Sequence, residues 1–162
     1  MSDSPLLNAA LTHLARGWSI IPIASDKKPL VAWKRFQSGR ATPDDLRGWL
    51  GGHSARGIAV VLGDVSGGLV CRDFDLRGAY AGWAAAHPDL AATLPTARTA
   101  RGVHVYAVAA DRTPRTFSDG EYRGNGQYVI LPPSIHPSGA AYEWIIPPVT
   151  PCPTWNRTRP GS

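Results

Sequence analysis

Two aspartates stand one residue apart at the end of an apolar run, in the segment VCRDFDLRG (70–78). On a β-strand, alternate side chains share a face and lie about 6.6–6.8 Å apart along it, so Asp73 and Asp75 would point the same way. Two carboxylates on one face repel each other unless a cation lies between them, and Mg²⁺ is commonly bound by one or two carboxylates together with substrate phosphates. The pair alone predicts either a divalent-cation site or a solvated strand end.

A third acid favours the cation site. Glu121 is one of only two glutamates in the chain, and it begins the segment EYRGNGQYVIL (121–131). If this strand lies beside the one with the aspartates, the three carboxylates could hold two cations about 3.5–4 Å apart, as in phosphoryl and nucleotidyl transfer. Arg123 shares the strand face of Glu121, which fits a phosphate contact and an ordinary salt bridge equally well.

A histidine follows a turn with arginine and glycine in TARTARGVHVYAV (96–108). The alternation of apolar residues leaves His104 and Tyr106 on one face of the predicted strand, with Arg101 in the turn before it. His104 would lie level with the carboxylates if the strands pair. It could then donate to a phosphate oxygen or act as a general acid, although a lone histidine is more often structural.

Two loops carry further candidate residues. In VILPPSIHPSGAAYEW (129–144), two prolines end a strand and place Ser134 and His136 in a stiff loop. This loop is either a sugar or phosphate contact or a rigid connection. The basic loop SDKKPLVAWKRFQSG (25–39) contains Lys28 and Trp33, and the basic residues of 27–40 are either a contact for a template backbone or part of a solvated loop.

The elements that must position these residues change from helical to extended along the chain. Ser4 before Pro5, and Thr42 before Pro43, are typical helix starts. Pro88 limits a third predicted helix. The segments 57–63 and 68–75 are expected to pair with each other as central strands, joined by the turn DVSG. The expected order is helix to 16, strand 18–24, helix 42–50, strands 57–63 and 68–75, helix 78–90, two strands within 97–109, a polar loop 111–120, and three strands within 121–145.

Composition limits the chain to one domain. It has 162 residues, 43% of them hydrophobic, with 6 Trp, 17 Gly and 15 Pro. This predicts a packed core with many turns and short elements. Residues 1–148 are expected to form the domain, and the Pro-rich segment 149–162 an extended linker or disordered tail.

Charge and cysteine content restrict the class of protein. The formal net charge is +5, and most of the 17 basic residues are arginines, which suit phosphate and nucleic acid but can also reflect genomic composition. The 2 cysteines give neither a disulfide framework nor a zinc site, which fits a reducing cytoplasm. No membrane span or signal peptide is indicated.

Six ordered segments resemble the bifunctional DNA primase/polymerase (prim-pol) domain of the archaeo-eukaryotic primase superfamily, which occurs in phage, plasmid and prophage replication proteins. The resemblance spans residues 6–148. The matching segments are RGWSIIPI, KKPLVAWKRFQ, ATPDDLRGWL, GIAVVLGDVSGGLVCRDFD, LPTARTARGVHVY and EYRGNGQYVILPPSIHPSGAAYEW.

The resemblance implies a fold and a set of site residues. The implied fold is α+β, with a small N-terminal α/β part packed on a modified, RRM-like mixed sheet and an active site in the cleft between them. Asp73, Asp75 and Glu121 take the places of the metal ligands, and His104 that of a phosphate contact. Relatives often have Asp where this chain has Glu121, which adds a methylene to that ligand.

The implied activity is template-directed nucleotidyl transfer from nucleoside triphosphates to a 3′-hydroxyl, in primer synthesis or extension, with two Mg²⁺ or Mn²⁺ ions. Phosphates would be neutralised by Arg101 and His104, with further contacts expected from Arg123, Lys28, Ser134 and His136, and Trp33 or Tyr106 could stack on a base. Expected partners are single-stranded DNA template and primer, and a helicase supplied in trans or by a further region. The alternatives are a non-catalytic module that binds single-stranded DNA or an origin, and a metal-dependent phosphohydrolase or nuclease.

Overall fold

The structure is a computed structural model that describes residues 4–52 and 54–155. It contains short helices, nine strands and two 3₁₀ turns within these residues. Their bounds, in chain order, are α1 Pro5–Ala15, β1 Ser19–Ile23, a 3₁₀ turn Lys34–Gln37, α2 Pro43–Leu50, β2 Gly57–Val61, a 3₁₀ turn Asp64–Ser66, β3 Leu69–Phe74, α3 Ala79–Ala86, α4 Pro88–Thr93, β4 Thr96–Arg98, β5 Val103–Val108, β6 Arg115–Phe117, β7 Gly120–Arg123, β8 Tyr128–Leu131 and β9 Glu143–Ile146.

The strands form two sheets. The small sheet has the order β1-β2-β8, and the large sheet has the order β6-β7-β3-β5-β4-β9. Every pairing between these strands is antiparallel. The fold is therefore α+β, as expected, but the sheet expected to be mixed is antiparallel in the part of the chain that the structure describes. The RRM-like arrangement remains a prediction.

The expected pairing of 57–63 with 68–75 is wrong. β2 pairs with β1 and β8, whereas β3 pairs with β5 and β7, so the two segments lie in different sheets. A single β-bridge joins them at Gly63, whose amide donates to the carbonyl of Leu69 and whose carbonyl accepts from the amide of Gly68, both at 2.9 Å. Both strands are buried along their whole length. Each strand therefore needs a covering layer on both faces, which two packed sheets provide and one hairpin does not.

The predicted helix starts are confirmed. The Ser4 hydroxyl accepts a hydrogen bond from the amide of Leu7, and Thr42 forms a capping box with Asp45. The helix predicted over 78–90 is instead two helices, because Pro88 begins α4 rather than only ending α3. The polar loop predicted over 111–120 contains β6, which forms a hairpin with β7.

Two hydrophobic clusters cover the two faces of the large sheet. The first lies between the large sheet, the small sheet and helices α1 and α2, and includes Cys71 and Tyr106. The second lies under α3 and includes Phe74, Val105 and Trp83. Alternate residues of β3 and β5 therefore face opposite clusters, as the alternation of their side chains requires. None of the described helices is long and apolar enough to cross a membrane.

The first part of the Pro-rich segment is packed, contrary to the expectation of a tail from 149. Thr154 forms a parallel bridge with Val108, and the amide of Trp155 donates to the Val108 carbonyl at 2.8 Å. Trp155 is only 3% exposed, and its ring lies in the second cluster against Trp83 and Tyr122. Residues 156–162 of the predicted tail lie outside the described residues.

A buried histidine makes stability depend on pH. His13 is 3% exposed and stacks on Trp18 at 4.8 Å between ring centroids; burial, with a smaller contribution from Arg16, lowers its pKa from 6.5 to about 3. Between these values the unfolded chain binds a proton that the folded protein does not, so stability present above pH 6.5 is lost as the pH falls. From pH 7 to 5 we expect a loss of about 2 kcal/mol from this group.

Urea denaturation at the two pH values, on the wild type and on His13→Phe, measures this contribution. Phe keeps the ring in place and removes the titration, so the variant should lose about 2 kcal/mol less between pH 7 and 5. Equal losses in the two proteins would contradict the assignment to His13.

Candidate active site

Pairing in the large sheet brings the three strand-borne candidates into one row. Asp73 on β3 lies directly opposite His104 on β5 and directly opposite Glu121 on β7. The pairings expected between these strands are therefore confirmed. Cross-strand neighbours in antiparallel sheets have Cβ atoms about 4.5–5.5 Å apart, so the three side chains share one face of the sheet.

Asp75 lies just beyond the last residue of β3, where the neighbouring strands hold the backbone. Its amide donates to the carbonyl of Asp119 at 2.9 Å. On either side stands a glycine that has no room for a side chain. A Cβ on Gly102 would lie 1.6 Å from the Phe74 carbonyl oxygen, and one on Gly120 would lie 1.9 Å from that of Asp73. The positions of both aspartates therefore depend on two glycines.

Gly102→Ala is expected to lower both stability and any activity of the site. The added methyl must push β5 away from the end of β3, and overpacking of this kind costs about 1–3 kcal/mol. The matched control is Gly82→Ala on α3, where a Cβ meets nothing within 4 Å, and which should gain up to about 1 kcal/mol. Thermal unfolding of the two variants checks this, and an unchanged midpoint for Gly102→Ala would contradict the packing argument.

The back of β3 is fixed by an arginine between two aromatic rings. The Arg72 guanidinium carbon lies 4.2 Å from the ring centre of Phe74 and 4.6 Å from that of Phe117. One of its nitrogens donates to the carbonyls of Asp73, at 2.8 Å, and Glu121, at 3.4 Å. Arg72 thus holds the backbones of two candidate ligands from the face opposite their side chains.

A cleft of about 750 Å³ lies between the large sheet and strand β8. Asp73, Asp75, His104 and Arg123 line it from the large sheet and its loops. The remaining lining residues are Lys27, Trp33, Thr99, Ala100, Arg101, Gly126, Gln127, Tyr128, Val129, Ile130, His136 and Tyr142. The cleft therefore combines acids, cations and aromatic rings.

The pKa values of the two aspartates are shifted in opposite directions. Burial raises the pKa of Asp73, but the contact with His104 and the charges of His104 and Arg123 outweigh it, so the net shift is downward. Burial and the charge of Asp73 raise the pKa of Asp75. Asp73 therefore loses its proton at a lower pH than Asp75.

His104 connects Asp73 to a buried tyrosine. Its Nε2 lies 3.4 Å from Oδ1 of Asp73, and its Nδ1 lies 3.4 Å from the hydroxyl of Tyr106. Tyr106 has no exposed surface, so its hydroxyl pairs with Nδ1; in the tautomer in which Nδ1 accepts, the ring proton is on Nε2, toward the cleft. His104 is therefore placed to donate a hydrogen bond to a group bound beside Asp73.

Glu121 is paired with a cation rather than open to the cleft. Its Oε2 lies 2.9 Å from Nη2 of Arg123, and Nε of the same arginine lies 3.7 Å from Oδ2 of Asp73. Of the two readings of Arg123 left open by the sequence, the structure shows the salt bridge. Arg123 nevertheless lines the cleft, so a phosphate contact remains a prediction.

The carboxylate oxygens of the site suit a hard divalent cation only in part. Oδ1 of Asp73 is a buried carboxylate oxygen that has Nε2 of His104 at 3.4 Å but no contact with good hydrogen-bond geometry, and Asp75 lines the same cleft. Two carboxylates with substrate phosphates are an ordinary Mg²⁺ site. Within residues 4–52 and 54–155, however, no three His, Cys, Asp or Glu side chains are grouped to hold a metal ion. Asp73 and Asp75 fit the cation as they stand, and Glu121 fits it only when released from Arg123.

The other predicted phosphate contacts divide into two groups. Arg101 and His136 line the cleft, and desolvation, then the charges of Lys27 and Arg101, lower the pKa of His136. Ser134 is buried outside the cleft lining, where its hydroxyl accepts from the amide of Ile58 at 2.9 Å. Lys28 is exposed and is also absent from the lining. The roles predicted for the last two have no support in this placement.

Ser134 instead completes the end of β2. Besides accepting from the Ile58 amide, its hydroxyl donates to the Ile58 carbonyl at 3.2 Å. Gly57, the first residue of β2, has its Cα so close that an added Cβ would lie 2.6 Å from this hydroxyl oxygen. The serine is therefore part of the scaffold beneath the loop that carries His136.

The two aromatic candidates also differ. Trp33 lines the cleft and meets Tyr128 edge to face, at 5.0 Å between ring centroids, so a base could reach it. Tyr106 is fully buried and packs near Trp18 and Trp144. The suggestion that Tyr106 stacks on a base is therefore wrong.

Lys27 and Tyr142 both line the cleft, but neither was singled out from the sequence, where Lys27 was included only among the basic residues of 27–40. Lys27 has a left-handed backbone, with φ of 69°, and its carbonyl accepts from the hydroxyl of Tyr128 at 3.4 Å. Its position beside Lys28 was the only indication in the sequence that it could contact a phosphate. The sequence does not say which of two adjacent lysines faces the cleft. Nothing in the pattern around Tyr142 indicated a cleft residue.

A comparison with protein families gives one finding. The family model described as bifunctional DNA primase/polymerase, N-terminal, matches residues 10–155. The match includes every described residue of the cleft and continues through Trp155. No curated protein matches the chain.

Proposed function

We propose that the chain, which belongs to the family of bifunctional DNA primase/polymerase N-terminal domains, is a nucleotidyltransferase. It would extend a 3′-hydroxyl on a single-stranded DNA template. The hydroxyl would belong to a primer or, in primer synthesis, to another nucleotide. The setting that fits this activity is replication of the phage, plasmid or prophage type, with a helicase as partner.

The observation that carries the proposal is the row of Glu121, Asp73 and His104 across three paired strands, with Asp75 beside it in the cleft. The carboxylates of Asp73 and Asp75 thus lie with His104, a hydrogen-bond donor, in a cavity large enough for a nucleotide, and Glu121 lies next to Asp73 in the sheet. Arg101 and Lys27 line the same cavity and supply positive charge for a triphosphate.

Asp73 and Asp75, joined by Glu121, would hold two Mg²⁺ or Mn²⁺ ions. When bound, such ions neutralise the triphosphate and activate the 3′-hydroxyl for in-line attack on the α-phosphorus. The protein's own part is placement. His104 donates from Nε2 to a phosphate oxygen, the cations of the cleft hold the outgoing pyrophosphate, and Trp33 stacks on a base.

Incubation of the purified protein with a single-stranded template, nucleotides and Mn²⁺, with and without an annealed primer, tests the proposal. We expect products whose sequence follows the template and whose formation stops when the metal is chelated. Parallel reactions with ribonucleotides and deoxynucleotides show which substrate is preferred.

Two other results would replace the proposal by its alternatives. Degradation of the template without incorporation would indicate a nuclease or phosphohydrolase that uses the same carboxylates. Equal binding of single-stranded DNA with and without metal, together with no incorporation under any condition, would indicate a non-catalytic binding module.

A further inference from the structure

Arg123 occupies the position between two candidate metal ligands. Its guanidinium lies 2.9 Å from Glu121 and 3.7 Å from Asp73, and its Nη1 donates to the carbonyl of Tyr128 at 3.4 Å. Glu121 and Asp73 belong to the large sheet and Tyr128 to the small one. The guanidinium therefore neutralises the carboxylates from within the cleft and reaches across it.

The pairing leaves polar atoms unsatisfied on both sides. Nε of Arg123 is buried without a well-formed hydrogen bond, and so is Oδ1 of Asp73, which has only the 3.4 Å contact with Nε2 of His104 and belongs to a side chain that is 9% exposed. A buried polar atom without a partner costs about 1–3 kcal/mol, and native structures contain few of them. The contact between Arg123 and Asp73 therefore stabilises the protein less than a fully hydrogen-bonded pair would, which makes it easier to exchange.

We propose that Arg123 is a resident counter-cation, which holds Glu121 and Asp73 until a divalent cation replaces it, and which then transfers to the phosphates of the bound nucleotide. The inference rests on the proposed function, because it concerns the ligands of the same site. It explains why Glu121 is absent from the cleft lining while its partner Arg123 is present. It also couples binding of the cation to binding of the nucleotide. Arg123 leaves the carboxylates at a lower cost in free energy when a triphosphate is present to bind it.

The geometry allows this exchange. The Arg123 side chain is 31% exposed and lines the cleft, so it can turn toward a bound anion without unfolding the strand. A guanidinium binds a carboxylate and a phosphate through the same planar fork. Glu121, 35% exposed, would be left free to bind the cation.

Binding of Mn²⁺ to the nucleotide-free protein, followed by titration calorimetry or by electron paramagnetic resonance of free Mn²⁺, tests the proposal. Arg123→Gln removes the competing charge, and we expect it to bind Mn²⁺ about tenfold or more tightly than the wild type. The matched control is Arg101→Gln. It removes one positive charge from the same cleft but, within the described residues, no ion pair with Asp73 or Glu121, so we expect a smaller rise.

The coupling to nucleotide gives a second readout. A non-hydrolysable triphosphate should raise the Mn²⁺ affinity of the wild type more than that of Arg123→Gln, because only the wild type has an arginine to transfer. Arg123→Lys serves if the glutamine variant does not fold. An ammonium contacts a single carboxylate at a time, so we expect a rise between those of the wild type and Arg123→Gln.

A Mn²⁺ affinity that is unchanged or lower in these variants, or a rise no larger than that of Arg101→Gln, would overturn the inference. These results are independent of catalysis. A tighter Mn²⁺ site in Arg123→Gln, together with no nucleotide incorporation by the wild type, would uphold the counter-cation and reject the polymerase. Incorporation that depends on Asp73, with no effect of Arg123→Gln on Mn²⁺ binding, would do the reverse.

Discussion

Asp73→Asn is expected to lower template-directed incorporation by about 10²–10³-fold or more, with little change in the fold. The amide keeps the shape of the side chain but removes the negative charge that would hold the cation. Stabilisation of transition-state charge by a bound metal is worth several kcal/mol, and each tenfold in rate corresponds to about 1.4 kcal/mol. Single-turnover extension of an annealed primer at saturating nucleotide measures the loss.

Asp75→Asn separates catalytic loss from structural damage. Because burial and Asp73 raise the pKa of Asp75, its ionised form is disfavoured in the folded protein, so the stability it contributes is lost as the pH rises through its folded pKa. Asp75→Asn should therefore raise the midpoint of thermal unfolding at neutral pH while it abolishes incorporation. Asp89→Asn, at an exposed acid outside the cleft, is the control and should retain full activity. Activity close to wild type in Asp73→Asn would eliminate the proposed cation site.

Trp155→Ala is expected to cost about 3–5 kcal/mol of stability, a large share of the 5–15 kcal/mol of an ordinary domain. The ring is 3% exposed and contacts Trp83 and Tyr122 beneath the large sheet. Urea denaturation followed by circular dichroism measures the change.

The control for this variant lies a few residues earlier. Val149 is 52% exposed, so Val149→Ala should stay within about 0.5 kcal/mol of the wild type. Trp155→Phe should lie between the two. If residues from 149 onward were a disordered tail, all three variants would unfold like the wild type, and that result would contradict the packing of Trp155.

The row of candidate residues was predictable because side chains on a strand alternate strictly. Once β3, β5 and β7 pair, the period of two places Asp73, His104 and Glu121 on one face, and it places Phe74 on the other. The helix starts at Ser4 and Thr42 were predictable for a similar reason, since their caps are local. These predictions needed only the sequence and short-range geometry.

What could not be predicted depends on contacts between distant residues. The turn at 64–66 resembles a hairpin, and no periodic signal distinguishes two buried strands of one sheet from two strands of different sheets. Proline content suggested a tail, because one aromatic anchor does not change the composition of a segment. The ion pair of Arg123 with Glu121 was one of two readings, and only the placement of both side chains decides between them.

The contact between Gly57 and Ser134 links two positions that are far apart in the chain. The serine hydroxyl uses the space that a side chain at 57 would need, and it bonds both polar groups of the next residue, Ile58. A larger residue at 57 would therefore expel the hydroxyl and leave the end of β2 without its partner. We therefore expect the residues at 57 and 134 to change together in related chains, with the serine replaced wherever the glycine is.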